Sequence, residues 1–147
     1  PIELCSLRQL RFLDLFNNQL PNLPEQLAEL TSLERLNLAQ NPLRELPVGL
    51  NQLRPSLRML NVSFTQLMTT PTTIFKLVNL RELHLSGLIE CSDGAKILMP
   101  EIGDLLSLRV LDLSHNKLES KHLPLELFSL ISLENIMLND NELTDLP

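Results

Sequence analysis

Leucines recur along this chain in one frame, L-x-x-L-x-L-x-x-N-x-L, in which most of the x positions are polar. The frame is complete in "LERLNLAQNPL" at 33–43 and in "LRVLDLSHNKL" at 108–118. Six copies follow one another, with first residues Leu10, Leu33, Leu57, Leu80, Leu108 and Leu133. Successive copies therefore begin 23 to 28 residues apart, a spacing typical of stacked repeats.

Each copy predicts one strand and one return segment. Apolar residues alternate at a period of two inside the frame, which places them on the inner side of a short strand. The residues before each copy carry apolar positions three apart, often after Leu-Pro, as in Leu23, Pro24, Leu27 and Leu30. That spacing favours a 3₁₀ turn or a short helix. Since no unit can bury its own inner face, neighbouring units are expected to stack around a shared core.

The ninth frame position predicts how each turn is held. An amide there can bond backbone groups that would otherwise stay unpaired. This structural role is assigned to Asn18, Asn41, Asn116 and Asn141, whereas Thr65 keeps one hydroxyl. Leu88 offers no polar group, so the fourth turn is expected to differ.

Composition narrows the function classes. The 147 residues carry a net charge of −6 and contain no Trp or Tyr, which argues against a nucleic-acid groove. No apolar run approaches the roughly 18 residues of a membrane helix, so membrane insertion is not expected. Cys5 and Cys91 lie far apart, which fits free thiols in a reducing, cytoplasmic compartment.

The frame and the Leu-Pro return segments resemble the leucine-rich repeat family over residues 1–147. The resemblance implies a single α/β solenoid, a horseshoe segment with short parallel strands on its concave face and 3₁₀ or irregular segments on its convex face. The Leu-Pro pairs look most like Ras-group repeats, which are found in cytoplasmic scaffolds that bind small GTPases or phosphatases. Similar repeats occur in plant intracellular nucleotide-binding immune receptors.

Two features depart from the regular pattern. Pro1 and Leu146-Pro147 fall in the Leu-Pro phase of the return segments, without polar caps; we expect an internal segment of a longer protein. The stretch 88–98 is longer than its counterparts, and Ser92, Asp93 and Gly94 favour a turn there. This loop is either specific to a partner or a tolerated insertion.

The concave face is the predicted binding surface, because the third, fifth and seventh frame positions are expected to face solvent. Phe12 and Phe16, with Met59 two strands away, could form an apolar partner patch or be scattered surface residues. The seventh-position row is Phe16, Ala39, Ser63, Ser86, Ser114 and Asn139. The predicted contact residues are Phe12, Asp14, Phe16, Arg35, Asn37, Met59, Asn61, Glu82, His84 and Asp112.

The second frame position carries a row of charges: Arg11, Glu34, Arg58, Arg81, Arg109 and Glu134. Three successive arginines could grip an acidic peptide or a phosphate. They could equally form a solvated flank whose aliphatic stems cover the leucines. Glu34 and Glu82 are expected to pair weakly with this row.

Catalysis is not expected. Asp112, Ser114 and His115 match a triad in composition, but an open sheet offers no pocket in which they would converge. The histidines lack metal spacing, and no glycine-rich phosphate loop exists, so no cofactor or metal is predicted. We expect a non-catalytic protein-interaction scaffold in intracellular signalling. The alternatives are a regulatory or sensing segment of a multidomain enzyme or nucleotide-binding receptor, and an extracellular recognition domain.

Overall fold

Six strands of three residues each occupy the third to fifth frame positions. The structure is a computed structural model that describes residues 2–88 and 97–145. The strands form one parallel sheet in chain order. They are β1 (Phe12–Asp14), β2 (Arg35–Asn37), β3 (Met59–Asn61), β4 (Glu82–His84), β5 (Val110–Asp112) and β6 (Asn135–Met137). The predicted strand of each repeat is confirmed.

The sheet register places equivalent leucines side by side. Leu13 pairs with Leu36 and Leu60 pairs with Leu83 in neighbouring strands, and from Leu13 to Leu111 this inner row is buried. Ile136, which continues the row in β6, is 40% exposed, although we expected it to be sealed. The reason is that β6 is the last strand of the described sheet, so none of the described coils packs on its far side.

The return segments are short helices, as the three-residue spacing predicts. Those that the structure describes are the 3₁₀ helices Ile2–Ser6, Glu25–Glu29, Val48–Leu53, Pro100–Asp104, Ser120–His122 and Leu125–Ser129, and one four-residue α-helix, α1 (Thr72–Phe75). Four of them begin directly after a proline, whose fixed φ suits entry into a helix. Consecutive segments pack on one another and close the leucine core on the side opposite the sheet.

The chain leaves every strand through a left-handed residue at the eighth frame position. These residues are Asn17, Gln40, Phe64, Gly87, His115 and Asp140, with φ between 54° and 64°. Phe64 is the unusual member, because a bulky L-residue is strained in this region. Its ring lies over Gly87, where an added Cβ would overlap the ring. The absent side chain at Gly87 therefore makes room for the aromatic ring.

The ninth-position amides bond the backbone as predicted. The Nδ2 group of buried Asn116 donates to the carbonyls of Leu85 (2.8 Å) and Leu113 (3.0 Å), and its Oδ1 accepts from the Leu88 N–H at 2.8 Å. The fourth turn differs, as expected. Leu88 is a core residue, and its backbone N–H donates to Asn116 of the next coil. Asn18, which was assigned the same role, is exposed and bonds only carbonyls of its own coil.

Three other predictions, on the 88–98 loop, the cysteines and membrane insertion, concern residues that the structure describes only in part. The loop predicted over 88–98, including Cys91, lies mostly outside the described residues, which stop at Leu88 and resume at Ile97. Cys5 is a buried free thiol, and burial is the main cause that raises its pKa. Within the described ranges, no helix has the length and hydropathy needed to cross a bilayer.

Candidate functional site

The outward side chains of the six strands form one surface, which we call the concave face. Nine of the ten predicted contact residues lie in β1 to β5, and Phe16 lies two residues after β1. Phe12, Asp14, Phe16 and Arg35 are exposed, and the other six are half-buried. The strand register aligns nine of them in two rows, at the third and fifth frame positions. The structure therefore places nine of the ten on one accessible surface and Phe16 in the turn that follows β1.

The third-position row combines an aromatic ring with an ion pair. Phe12 is 57% exposed, and the Arg11 guanidinium lies 5.6 Å from its ring centroid. Further along the row, an Arg35 guanidinium nitrogen lies 3.7 Å from a Glu82 carboxylate oxygen, across the intervening Met59. These two charges largely cancel, so this row presents mainly Phe12 and Met59 as apolar groups to a partner.

The fifth-position residues have a structural role that sequence reasoning missed. The side-chain oxygen of Asp14 accepts the N–H of Phe16 at 2.9 Å, and Asn61 accepts that of Ser63 at 2.9 Å. Asn37 and Asp112 make the same bond to the residue two positions later. Such Asx turns hold the chain as it leaves the strand. The signal was present in the sequence, because Asp and Asn fill this position in four of the six copies.

His84 replaces this pattern in β4. Its Nδ1 lies 3.7 Å from Oδ2 of Asp112 in the neighbouring strand, and both side chains are mostly covered. The N–H two residues later, on Ser86, instead donates to the Ser63 hydroxyl at 3.1 Å. The imidazole therefore does not hold the turn and instead faces a carboxylate of the next coil.

The seventh-position row was wrongly expected to face solvent throughout. Phe16 and Asn139 are exposed, whereas the four members between them are buried: Ala39, Ser63, Ser86 and Ser114. The period-two alternation ends with the three-residue strand. The direction of the seventh side chain is therefore set by the turn and not by the sheet. The Ser86 and Ser114 hydroxyls meet at 3.0 Å, so these small side chains satisfy one another under the turn.

The residues that resemble a triad do not form a relay. The Ser114 hydroxyl donates to Oδ1 of Asp112 at 2.6 Å. His115 lies at the left-handed turn position, and its Nδ1 is 3.3 Å from Oδ2 of Asp140. A nucleophile requires its base within hydrogen-bonding reach, and here the serine bonds the carboxylate. Among the described residues, no group of three potential ligands is placed to hold a metal ion.

Large apolar side chains are also exposed outside the concave face, and sequence reasoning missed them. They are Leu7, Val48, Phe64, Met68, Leu106, Leu125, Phe128 and Ile131. Leu125 and Phe128 are three residues apart in the 3₁₀ helix Leu125–Ser129, so they lie on one side of it, and Ile131 follows that helix. Their signal was an apolar series one residue out of phase with the buried Leu127 and Leu130. Exposure alone therefore does not single out the concave face.

The second-position row lies beside the concave face, where the strands begin. Arg11 and Glu34 form a two-point pair, with N···O distances of 2.8 and 3.0 Å. That hydrogen bond is the main cause that lowers the pKa of Glu34 and raises the pKa of Arg11. Arg109 pairs with Glu134 at 3.4 Å. Glu34 thus pairs with this row as predicted, whereas Glu82 pairs with Arg35 on the concave face.

Comparison with known proteins finds a family model and relatives that match most of this chain. The family model described as "Leucine-rich repeat region" matches residues 2–138. The Protein flightless-1 homolog of Caenorhabditis elegans is 35% identical over 122 residues, which is 81% of this chain and 9% of that protein. The probable inactive serine/threonine-protein kinase roco10 of Dictyostelium discoideum is 29% identical over 133 residues. This match covers 90% of this chain but 5% of roco10, so the chain spans a small part of these relatives.

Solved structures show the same architecture. A leucine-rich repeat protein of Leptospira interrogans superimposes with a TM-score of 0.72 at 33% identity, covering 100% of this chain and 41% of that one. An internalin of Listeria monocytogenes gives 0.71 at 25% identity, covering 92% and 37%. Four observations point to the same fold: the repeated frame, the single parallel sheet, the buried leucine rows and the family match over 2–138. The chain belongs to the leucine-rich repeat family.

Proposed function

We propose that this chain is a non-catalytic scaffold that binds a partner protein through its concave face, in intracellular signalling and in the cytoplasm. The observation that carries the proposal is the alignment of the predicted contact residues on one accessible surface. Family membership supports the general role, because leucine-rich repeat domains typically bind proteins. By resemblance to Ras-group repeats, the partner class we propose is a small GTPase or a phosphatase.

The mechanism that we propose is rigid display. Each strand is bonded to its neighbours, and four fifth-position side chains are tied to their own turns. Groups held in place before binding lose little conformational entropy when a partner arrives. Phe12 and Phe16, both about half exposed, would supply the aromatic anchors that commonly dominate binding energy. The polar residues around them would set orientation and specificity.

Paired phenylalanine variants test this proposal. Phe12 on the concave face and Phe128 on a return segment are each 57% exposed, so their replacement removes the same side chain with the same accessibility. A partner is first captured with the parent chain and identified by mass spectrometry. The purified partner is then titrated by calorimetry against the parent, Phe12→Ala and Phe128→Ala.

We expect Phe12→Ala to weaken binding by about tenfold or more, as truncation of an aromatic anchor does, and Phe128→Ala to leave it unchanged. Met59→Ala and His84→Ala should weaken binding as well. If all three concave variants bind like the parent, the concave assignment is wrong. If only Phe128→Ala weakens binding, the partner docks on the return segments.

A second candidate follows from the lengths of the relatives. The chain spans 5% of roco10, which is named a probable inactive serine/threonine-protein kinase, and 9% of the flightless-1 homolog. A chain of this kind could serve as the regulatory or sensing segment of a multidomain enzyme or nucleotide-binding receptor. The full-length coding sequence discriminates between the two: a P-loop or a kinase signature in the flanking sequence favours the second candidate.

A further inference from the structure

The row of charges at the second frame position is compensated at both ends and not in its middle. Arg11 is paired with Glu34, and Arg109 is paired with Glu134. Between these pairs lie Arg58 and Arg81 on consecutive coils. Among the described residues, no carboxylate oxygen lies within 4.0 Å of either of these two guanidinium groups.

The backbone forces these two arginines to be neighbours. The Arg81 N–H donates to the Arg58 carbonyl at 2.7 Å, so their coils are in register at this point. Arg58 and Arg81 stand one residue before β3 and β4, and like charges on neighbouring coils repel. The nearby Glu34 carboxylate bonds Arg11 through both of its oxygens and attracts Arg58 only at longer range. A bound anion would therefore reduce the repulsion between the two arginines.

The arginines border a cleft. It is open to solvent and has a volume of about 500 Å³. Its lining residues are Gln9, Arg11, Ser32, Glu34, Ser56, Arg58 and Arg81. Three arginines and one glutamate leave it with two net positive charges, on a chain whose net charge is −6. The cleft is thus a concentrated positive site on an acidic molecule, and such a contrast attracts anions.

One side of the cleft is pre-oriented. The Arg58 guanidinium donates to the Leu57 carbonyl at 3.2 Å and to the Pro55 carbonyl at 2.9 Å. These bonds hold its planar group against its own coil, and an immobilised donor loses less entropy on binding than a free one. Arg81 is exposed and can close over a ligand from the next coil.

We propose that this cleft binds a phosphoryl group carried by a phosphoserine or phosphothreonine of the partner protein. A phosphate monoester carries nearly two negative charges and three acceptor oxygens near neutral pH. It therefore matches the guanidinium groups of Arg58 and Arg81 and the Ser32 hydroxyl better than a carboxylate does. The Arg11 guanidinium, which lines the cleft, also stacks on Phe12. The site is therefore continuous with the concave face, and the protein source of the phosphate rests on the proposed function.

The test is a titration that needs no partner. The side-chain Nε–Hε signals of the arginines are followed by NMR while N-acetyl-phosphoserine amide, N-acetyl-serine amide or inorganic phosphate is added. The variants are Arg58→Gln and Arg81→Gln. Arg44→Gln is the matched control, because Arg44 is an exposed arginine outside the cleft and its loss changes the net charge equally. Leucine methyl spectra verify that each variant is folded.

We expect saturable shifts of the Arg58 and Arg81 signals with the phosphoserine probe and with inorganic phosphate, and none with the serine probe. Arg81→Gln should weaken phosphoserine binding about tenfold, and Arg44→Gln should leave it unchanged. Arg58→Gln also loses two backbone bonds, so Arg81→Gln is the decisive variant if Arg58→Gln is unfolded.

Three results would overturn the proposal. They are a linear drift without saturation, equal weakening in Arg44→Gln and Arg81→Gln, and binding of inorganic phosphate without binding of the phosphoserine probe. The titration fails or succeeds independently of the partner-binding experiment. If phosphoserine binds here while Phe12→Ala, Met59→Ala and His84→Ala all leave partner affinity unchanged, the cleft stands and the concave assignment fails.

Discussion

Replacing Asn116 by alanine should be among the most destabilising single changes in the chain. The variant removes two donated bonds, to the Leu85 and Leu113 carbonyls, and one bond accepted from the Leu88 N–H. All three are buried, so the freed backbone groups cannot turn to water. An unsatisfied buried polar group costs about 1–3 kcal/mol. We expect a total loss of about 3–5 kcal/mol, because local relaxation recovers part of the sum.

Asn18→Ala is the control. It occupies the same frame position and also donates to two backbone carbonyls, but it is exposed, so water replaces the amide. Its cost should stay below about 1 kcal/mol. Urea denaturation followed by circular dichroism gives the free energy of unfolding of both variants. Equal losses, or a loss below about 1 kcal/mol for Asn116→Ala, would refute the reasoning that inter-coil amides hold the turns.

Two further predictions concern close packing and charge. Gly103→Ala should lower the free energy of unfolding, measured by thermal or urea denaturation, by about 1–2 kcal/mol. The reason is that the added Cβ would lie 3.0 Å from the Glu126 Cβ. Gly49→Ala should leave the free energy of unfolding nearly unchanged, because its added Cβ would lie 3.3 Å from its nearest neighbours. Equal costs would contradict this. Arg11→Gln should return the lowered pKa of Glu34 toward its ordinary value of 4.5. A lowered carboxyl pKa adds stability above that value and loses it as pH falls through the folded pKa, so the parent should lose more stability than the variant at acid pH. Carboxyl ¹³C NMR titration measures the pKa, and an identical pKa for Glu34 in both proteins would exclude the pairing.

The repeated frame predicted the sheet because its two-residue period matches the geometry of a β-strand. Side chains alternate across a strand, so the leucines of each copy point inward and the residues between them point outward. Stacking at a nearly constant interval then fixes which outward residues become neighbours, such as Phe12 beside Arg35 and Asn61 beside His84. The positions of the candidate contacts in the sheet could therefore be predicted from the sequence.

The limits of prediction lie where the period ends. The seventh position lies beyond the three-residue strand, so Ser86 and Ser114 are buried under the turn although the alternation points them outward. Phe64 adopts a left-handed φ because its place in the repeat demands it, against the preference of its side chain. The two-point pairing of Arg11 with Glu34, which separates compensated from uncompensated arginines, depends on rotamers that one-dimensional spacing does not specify.

The most direct test of the shared core is amide hydrogen exchange in a Leu60→Ala variant. Leu60 lies in the third strand, is fully buried and pairs with Leu36 and Leu83 of the adjacent coils, and a buried Leu→Ala change costs about 2–5 kcal/mol. If neighbouring coils seal one another, protection should fall in β2 and β4 together with β3. Loss of protection confined to β3 and its own return segment would contradict the account, because each coil would then hold its core alone.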